Sequence, residues 1–139
     1  MKSWKWALAA MLLVGASVPA AAEDITGSDV ILCSAGIVIV CLDDGTCADG
    51  PPWTLNIPHF IVVDLTKKKL YTTEASHENR VTPINSVQRV DGYVVLQGYE
   101  NERAFNWMIT ESNGMATVTI SREGLSATAF GVCTPKPVG

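Results

Sequence analysis

Between Glu23 and Gly139, apolar residues recur at every second position or in short unbroken runs, and nowhere at helical spacing over eleven or more residues. That pattern predicts strands. A first run spans Val30 to Cys41 and ends in the acidic turn Leu42-Asp43-Asp44-Gly45-Thr46. Gly50, Pro51 and Pro52 break the chain before Trp53 to Ile57, and Pro58 interrupts it again before His59 to Leu65. Thr66 to Lys68 reads as a turn into Lys69 to Thr73, and Glu74 to Arg80 as an exposed polar loop. Ile84 to Val90, Tyr93 to Tyr99, Arg103 to Glu111, Met115 to Arg122 and Leu125 to Cys133 follow. They are separated by Asp91-Gly92, Glu100 to Glu102, Asn113-Gly114 and Glu123-Gly124, the punctuation of closely spaced hairpins.

Seven to nine short strands joined by tight turns make an all-β chain, folded as a small antiparallel barrel or sandwich. Both architectures bury alternate residues of the same hairpins, so the pattern leaves the choice open. Ala116, Val118 and Ile120 alternate with Thr117, Thr119 and Ser121, giving one core face and one wet face. Phe105, Trp107 and Ile109 form a second core stripe, which Trp53 is expected to join. Spread over about 117 residues, side chains should nearly fill a closed barrel and leave no roomy ligand cavity.

The N-terminus departs from this pattern. Lys2 and Lys5 precede an almost wholly apolar run from Ala7 to Val18, and Ala20, Ala21 and Ala22 supply small residues directly before Glu23. This is the three-part layout of a secretory signal peptide over residues 1–22, leaving one secreted β domain over residues 23–139. The apolar run is shorter than the roughly 20 residues a membrane helix needs, so no span is expected after removal. Without Lys2 and Lys5 the chain carries eight basic and fourteen acidic groups, a net charge of −6. Nucleic-acid binding draws much of its affinity from Lys and Arg on phosphates, so this sign argues against a nucleic-acid partner.

Export changes how the cysteines read. Cys33, Cys41, Cys47 and Cys133 are an even set in an exported chain, which predicts disulfides ahead of a metal site. No two of them have the tight spacing of zinc ligands, and neither His59 nor His77 has a partner at metal-ligand spacing. Along one continuous strand Cys33 and Cys41 would lie about 26 Å apart at 3.3 Å per residue, far beyond disulfide reach unless the chain folds back near Ser34 to Gly36. Cys41 and Cys47 flank an Asp-Gly turn that brings them together. The expected pairs are Cys41 with Cys47 and Cys33 with Cys133. The second ties the first strand to the last.

Candidate chemistry is sparse. Asp43, Asp44 and Asp49 place three carboxylates on a disulfide-pinned turn, a place to meet a basic partner or Ca²⁺. The turn lacks the alternating ligands and terminal Glu of the twelve-residue calcium loop, so no metal or cofactor is assigned. His59 and His77 are the only imidazoles for acid–base work, and Ser76 beside His77 has no Gly-x-Ser-x-Gly context. Lys67, Lys68 and Lys69 read as a solvated turn, and Tyr71, Tyr93 and Tyr99 as cross-strand packing. No catalytic residue is assigned.

The segment Cys41-Leu42-Asp43-Asp44-Gly45-Thr46-Cys47, with Pro52-Trp53, a strand ending in Val63-Asp64-Leu65, and a terminal Phe130-Gly131-Val132-Cys133, resembles a group of small exported four-cysteine proteins of proteobacteria with no assigned activity. The resemblance implies an exported, disulfide-bonded β domain and no catalytic residue. In architecture the chain is also similar to periplasmic inhibitors of c-type lysozyme, small disulfide-bonded β-barrels, although none of their motif residues can be matched here.

The leading expectation is a non-enzymatic binding or interaction module of the cell envelope or the secreted fraction, whose acidity would steer a basic envelope or extracellular protein to it. A lysozyme-like hydrolase is one such partner, which would make the chain an inhibitor. The competing expectation is a small hydrolase or Ca²⁺-dependent enzyme built on His77, Glu78 and the acidic turn.

Overall fold

A computed structural model describes residues 22–137; the expected export signal lies outside them except for Ala22. The described chain forms ten strands: β1 (Val30–Leu42), β2 (Cys47–Gly50), β3 (Phe60–Asp64), β4 (Lys69–Thr72), β5 (Val81–Pro83), β6 (Ser86–Val90), β7 (Tyr93–Glu100), β8 (Arg103–Thr110), β9 (Met115–Arg122) and β10 (Leu125–Pro135). The sheet order is β5-β4-β3-β1-β10-β9-β8-β7-β6, antiparallel throughout, with β2 folded back on β1. The fold is all-β, and its single sheet curls into a half-barrel.

The chain itself forces the curl. β5 and β6 lie at opposite edges of the sheet, yet only Ile84 and Asn85 separate them. Three Cα steps reach at most about 11 Å, so the two edges must approach each other. The link is pinned to both sides: Ile84 N–H donates to Lys68 O (2.9 Å), and Asn85 N–H donates to Gln97 O (2.8 Å). The hydroxyl of Thr82 on β5 reaches Glu100 Oε2 on β7 at 2.7 Å across the same seam.

Inside the curl, Ile31, Val63, Val94, Leu96 and Ile109 are wholly buried, and Ile25 packs among them. A smaller cluster of Val38, Ile120, Ala127 and Ala129 lies beyond, and Phe105 and Val118 pack against both. The Phe105, Trp107, Ile109 stripe and the Ala116, Val118, Ile120 face point inward as alternation predicts. In β1 a bulge between Ala35 and Ile37 shifts the register against β10. Ile31 and Cys33 are buried before the bulge and Val38 after it, while Ile37 and Ile39 face out.

Both expected disulfides are present. Cys33 and Cys133 are register partners on β1 and β10, 100 residues apart in sequence, and Cys41 and Cys47 are register partners on β1 and β2. Such covalent ties fit an oxidising compartment. Among the described residues no helix is long and apolar enough to cross a membrane.

Two local expectations differ from the structure, and one strand was not expected. Trp53 is not core but 70% exposed, because Pro52–Leu55 forms a 3-10 turn that lifts it off the sheet. The segment from Glu74 to Arg80 is not uniformly exposed: it contains a 3-10 turn at Glu74–Ser76, and Arg80 is half-buried. Val81–Pro83, too short and too polar to signal a strand, pairs with β4 because the curled sheet offers it that edge.

Candidate ligand-binding site

The interior is not filled throughout, contrary to the expectation from chain length. Ala35 on β1, Gly131 on β10 and Ala116 on β9 stand side by side in register, and Ala129 follows Gly131 on the inward face. Small residues at adjacent inward positions leave a void, here a cavity of about 110 Å³. Gly131 cannot be enlarged to fill it, since a Cβ there would stand 2.4 Å from Ser34 O. The walls are Ile57, Ile61, Leu70, Phe105, Trp107 and Val118. The Phe105 ring lies over Gly98, its register partner on β7, where a Cβ would fall 2.2 Å from the ring. Gly98 thus sets the position of one wall.

Polar groups gather at the mouth. Glu100 accepts from the Thr82 hydroxyl and lies 3.8 Å from Arg80. Arg80 donates to Asn56 O at 2.8 Å, and Arg103 donates to Leu55 O at 2.9 Å. Two guanidinium groups therefore hold the carbonyl end of the 3-10 turn, whose Asn56 takes the left-handed conformation (φ 55°, ψ 37°). The turn roofs the cavity with Ile57 and Pro58. On its other side runs an open groove of about 410 Å³, lined by Trp53, Thr54, Leu55, Asn101, Arg122 and Leu125. Asn56, Arg103 and Ile120 line both spaces, so cavity and groove adjoin.

The residues singled out from sequence lie elsewhere. Asp43, Asp44 and Asp49 are exposed on the β1–β2 hairpin and line neither space. Asp44 is occupied locally: its Oδ1 accepts from Thr46 N–H at 2.8 Å, which holds its carboxyl below the usual carboxylate range. His59 is exposed with its ring edge-on to Phe60, and His77 is exposed in the left-handed position that ends the Glu74–Ser76 turn. Neither lines the cavity or the groove. Among the described residues no group of three or more His, Cys, Asp or Glu is placed to hold a metal ion. Of the four cysteines only Cys33 touches the cavity, and it is bonded to Cys133.

Sequence reasoning missed Asn56, Arg80, Thr82, Glu100, Arg103 and Arg122. Arg80, Glu100, Arg103 and Arg122 sit at element ends or in polar stretches, where a charged side chain reads as solvated, and Asn56 and Thr82 are uncharged residues beside prolines or turns that carry no signal of their own. The one available signal was parity: Arg103 continues the inward set Phe105, Trp107, Ile109, and Arg122 continues Ala116, Val118, Ile120. No family model matches the chain, and no curated protein or solved structure matches it.

Proposed function

We propose that this protein is a non-enzymatic binding module acting in the periplasm or outside the cell, and that its ligand places an apolar group in the cavity behind the Pro52–Leu55 turn. The observation that carries this reading is the cavity itself, apolar within and adjoined by a polar groove. The two disulfides and the signal-like N-terminus support the location. Contact between the acidic turn and a basic protein such as a lysozyme is the second reading, resting on the net charge of −6 and on the exposure of Asp43, Asp44 and Asp49. The cavity favours the first.

Methyl NMR of the exported protein tests it, with hexan-1-ol as probe. The expected result is a saturable shift of the Ile57, Ile61 and Val118 methyls, weakened at least tenfold in Ala129→Leu, which places an isobutyl group in the void. Absence of any saturable shift overturns the reading.

A further inference from the structure

We infer, resting on the cavity reading, that the ligand is a small amphipathic monocarboxylate, its apolar body in the cavity and its carboxylate in the groove between Arg103 and Arg122.

The described chain has four arginines. Arg80 is paired with Glu78 (4.0 Å) and Glu100 (3.8 Å), and Arg89 with Glu111. Arg103 and Arg122 make no ion pair among the described residues, and both line the groove. No carboxylate lines that groove, although the chain beyond residue 22 has fourteen acidic groups against eight basic. Glu100 is the register partner of Arg103 on β7 but is engaged by Arg80 and the Thr82 hydroxyl, so the groove itself presents two cations and no carboxylate.

Their relation across the sheet sharpens the point. Ala104 and Ser121 are the last register pair between β8 and β9, and Arg103 and Arg122 are the next residue on each strand. Both carry the inward parity of their strands. Like charges close together on neighbouring strands repel and weaken a sheet, a cost that Glu100 across from Arg103 offsets only in part. An anion between them removes the repulsion and gains charge-assisted hydrogen bonds, and planar guanidinium groups match the two oxygens of a carboxylate. Arg103 uses one of its donors on Leu55 O and keeps others for a ligand.

The cavity sets the size of the apolar part. An apolar cavity of about 150 Å³ accepts a benzene ring. The space here is about 110 Å³, which suits a branched or short linear group of about four to six carbons. Arg103 lines both spaces, so a molecule with its apolar body in the cavity would have its polar end beside this side chain. Trp53, exposed at the groove rim, adds apolar surface beside the entrance.

The test compares hexanoate, hexan-1-ol and hexylamine, titrated separately into the exported protein at low salt and followed by the Ile57, Ile61 and Val118 methyls. The expected order is hexanoate at least tenfold tighter than hexan-1-ol, with hexylamine weakest. In Arg103→Gln/Arg122→Gln, which removes both charges and keeps polar side chains, the hexanoate to hexan-1-ol ratio should fall to about one. Arg122→Lys should keep most of the preference. A saturable hexan-1-ol response in the double variant shows that its cavity has formed. Equal affinities for hexanoate and hexan-1-ol in the parent protein, or hexylamine as the tightest ligand, overturn this inference and leave the cavity reading standing. If none of the three moves the methyls, both fall.

Discussion

Around Ile31, Val63, Val94, Leu96 and Ile109 the inward side chains are large and wholly buried, whereas a void opens where this cluster, through Leu70, Trp107 and Ala116, meets the smaller one of Val38, Ile120, Ala127 and Ala129. The same strands supply both regions: β1, β9 and β10 pass from the filled end to the hollow one. The contrast therefore comes from side-chain size along each strand rather than from strand number or curvature. Phe105 and Val118 touch both clusters and mark the border. A curled sheet of this size can be filled, as the first region proves, and the junction with the second is left open by Ala35, Ala116, Ala129 and Gly131. A filled end keeps the scaffold rigid while a hollow end can admit a guest.

The disulfides separate the two regions most sharply. Cys33–Cys133 belongs to the filled cluster and closes a loop of 100 residues, while Cys41–Cys47 lies outside both clusters and closes six. Loop-closure entropy then predicts that replacing Cys33 and Cys133 by alanine costs about 4–5 kcal/mol, against about 2 kcal/mol for Cys41 and Cys47. Urea unfolding of the two double variants measures the gap; equal losses would break the comparison.

Core substitutions give the next largest effect. Leu96→Ala removes a wholly buried side chain from the filled end and should cost about 2–5 kcal/mol. Ala129→Val adds two methyl groups beside existing space and should change stability by less than about 1 kcal/mol, where overpacking of a full core costs about 1–3. Equilibrium unfolding of both variants checks the pair. A loss of several kcal/mol in Ala129→Val would mean that the hollow end is as tightly packed as the other.

The smallest effect belongs to the acidic turn outside both clusters. Thr46 N–H bonded to the Asp44 carboxylate favours its charged form, so its folded pKa lies below the unfolded value. Its contribution to stability is present above the unfolded pKa and is lost as pH falls through the folded one. Carboxyl NMR titration should show Asp44 in the folded chain with a lower midpoint than in urea. A matching midpoint would remove this local role from the turn.

Much of the fold was legible because strands and turns depend on neighbours in sequence. Alternation in Met115–Arg122, the Asp91-Gly92 and Asn113-Gly114 turns, and the inward stripe Phe105, Trp107, Ile109 all read directly. The Cys41–Cys47 pair followed from its turn, and Cys33–Cys133 by elimination. Where local signals were ambiguous the reading failed. Trp53 looked like core by residue type, but the prolines beside it direct a 3-10 turn outward. In Ile37-Val38-Ile39-Val40 every residue is apolar, so nothing in the run says which side is inside until the bulge before Ile37 sets it.

The sequence alone determined an all-β chain, its hairpins and its disulfide framework, because hydrophobic alternation and turn chemistry act within a few residues. Only the tertiary structure decided that Ala35, Gly131 and Ala116 stand in one row, that Arg80 and Arg103 hold the same turn, and that Arg103 and Arg122 line one groove. Those meetings depend on the register between strands and on the curl that brings distant segments together. Neither is encoded in any single stretch of the chain.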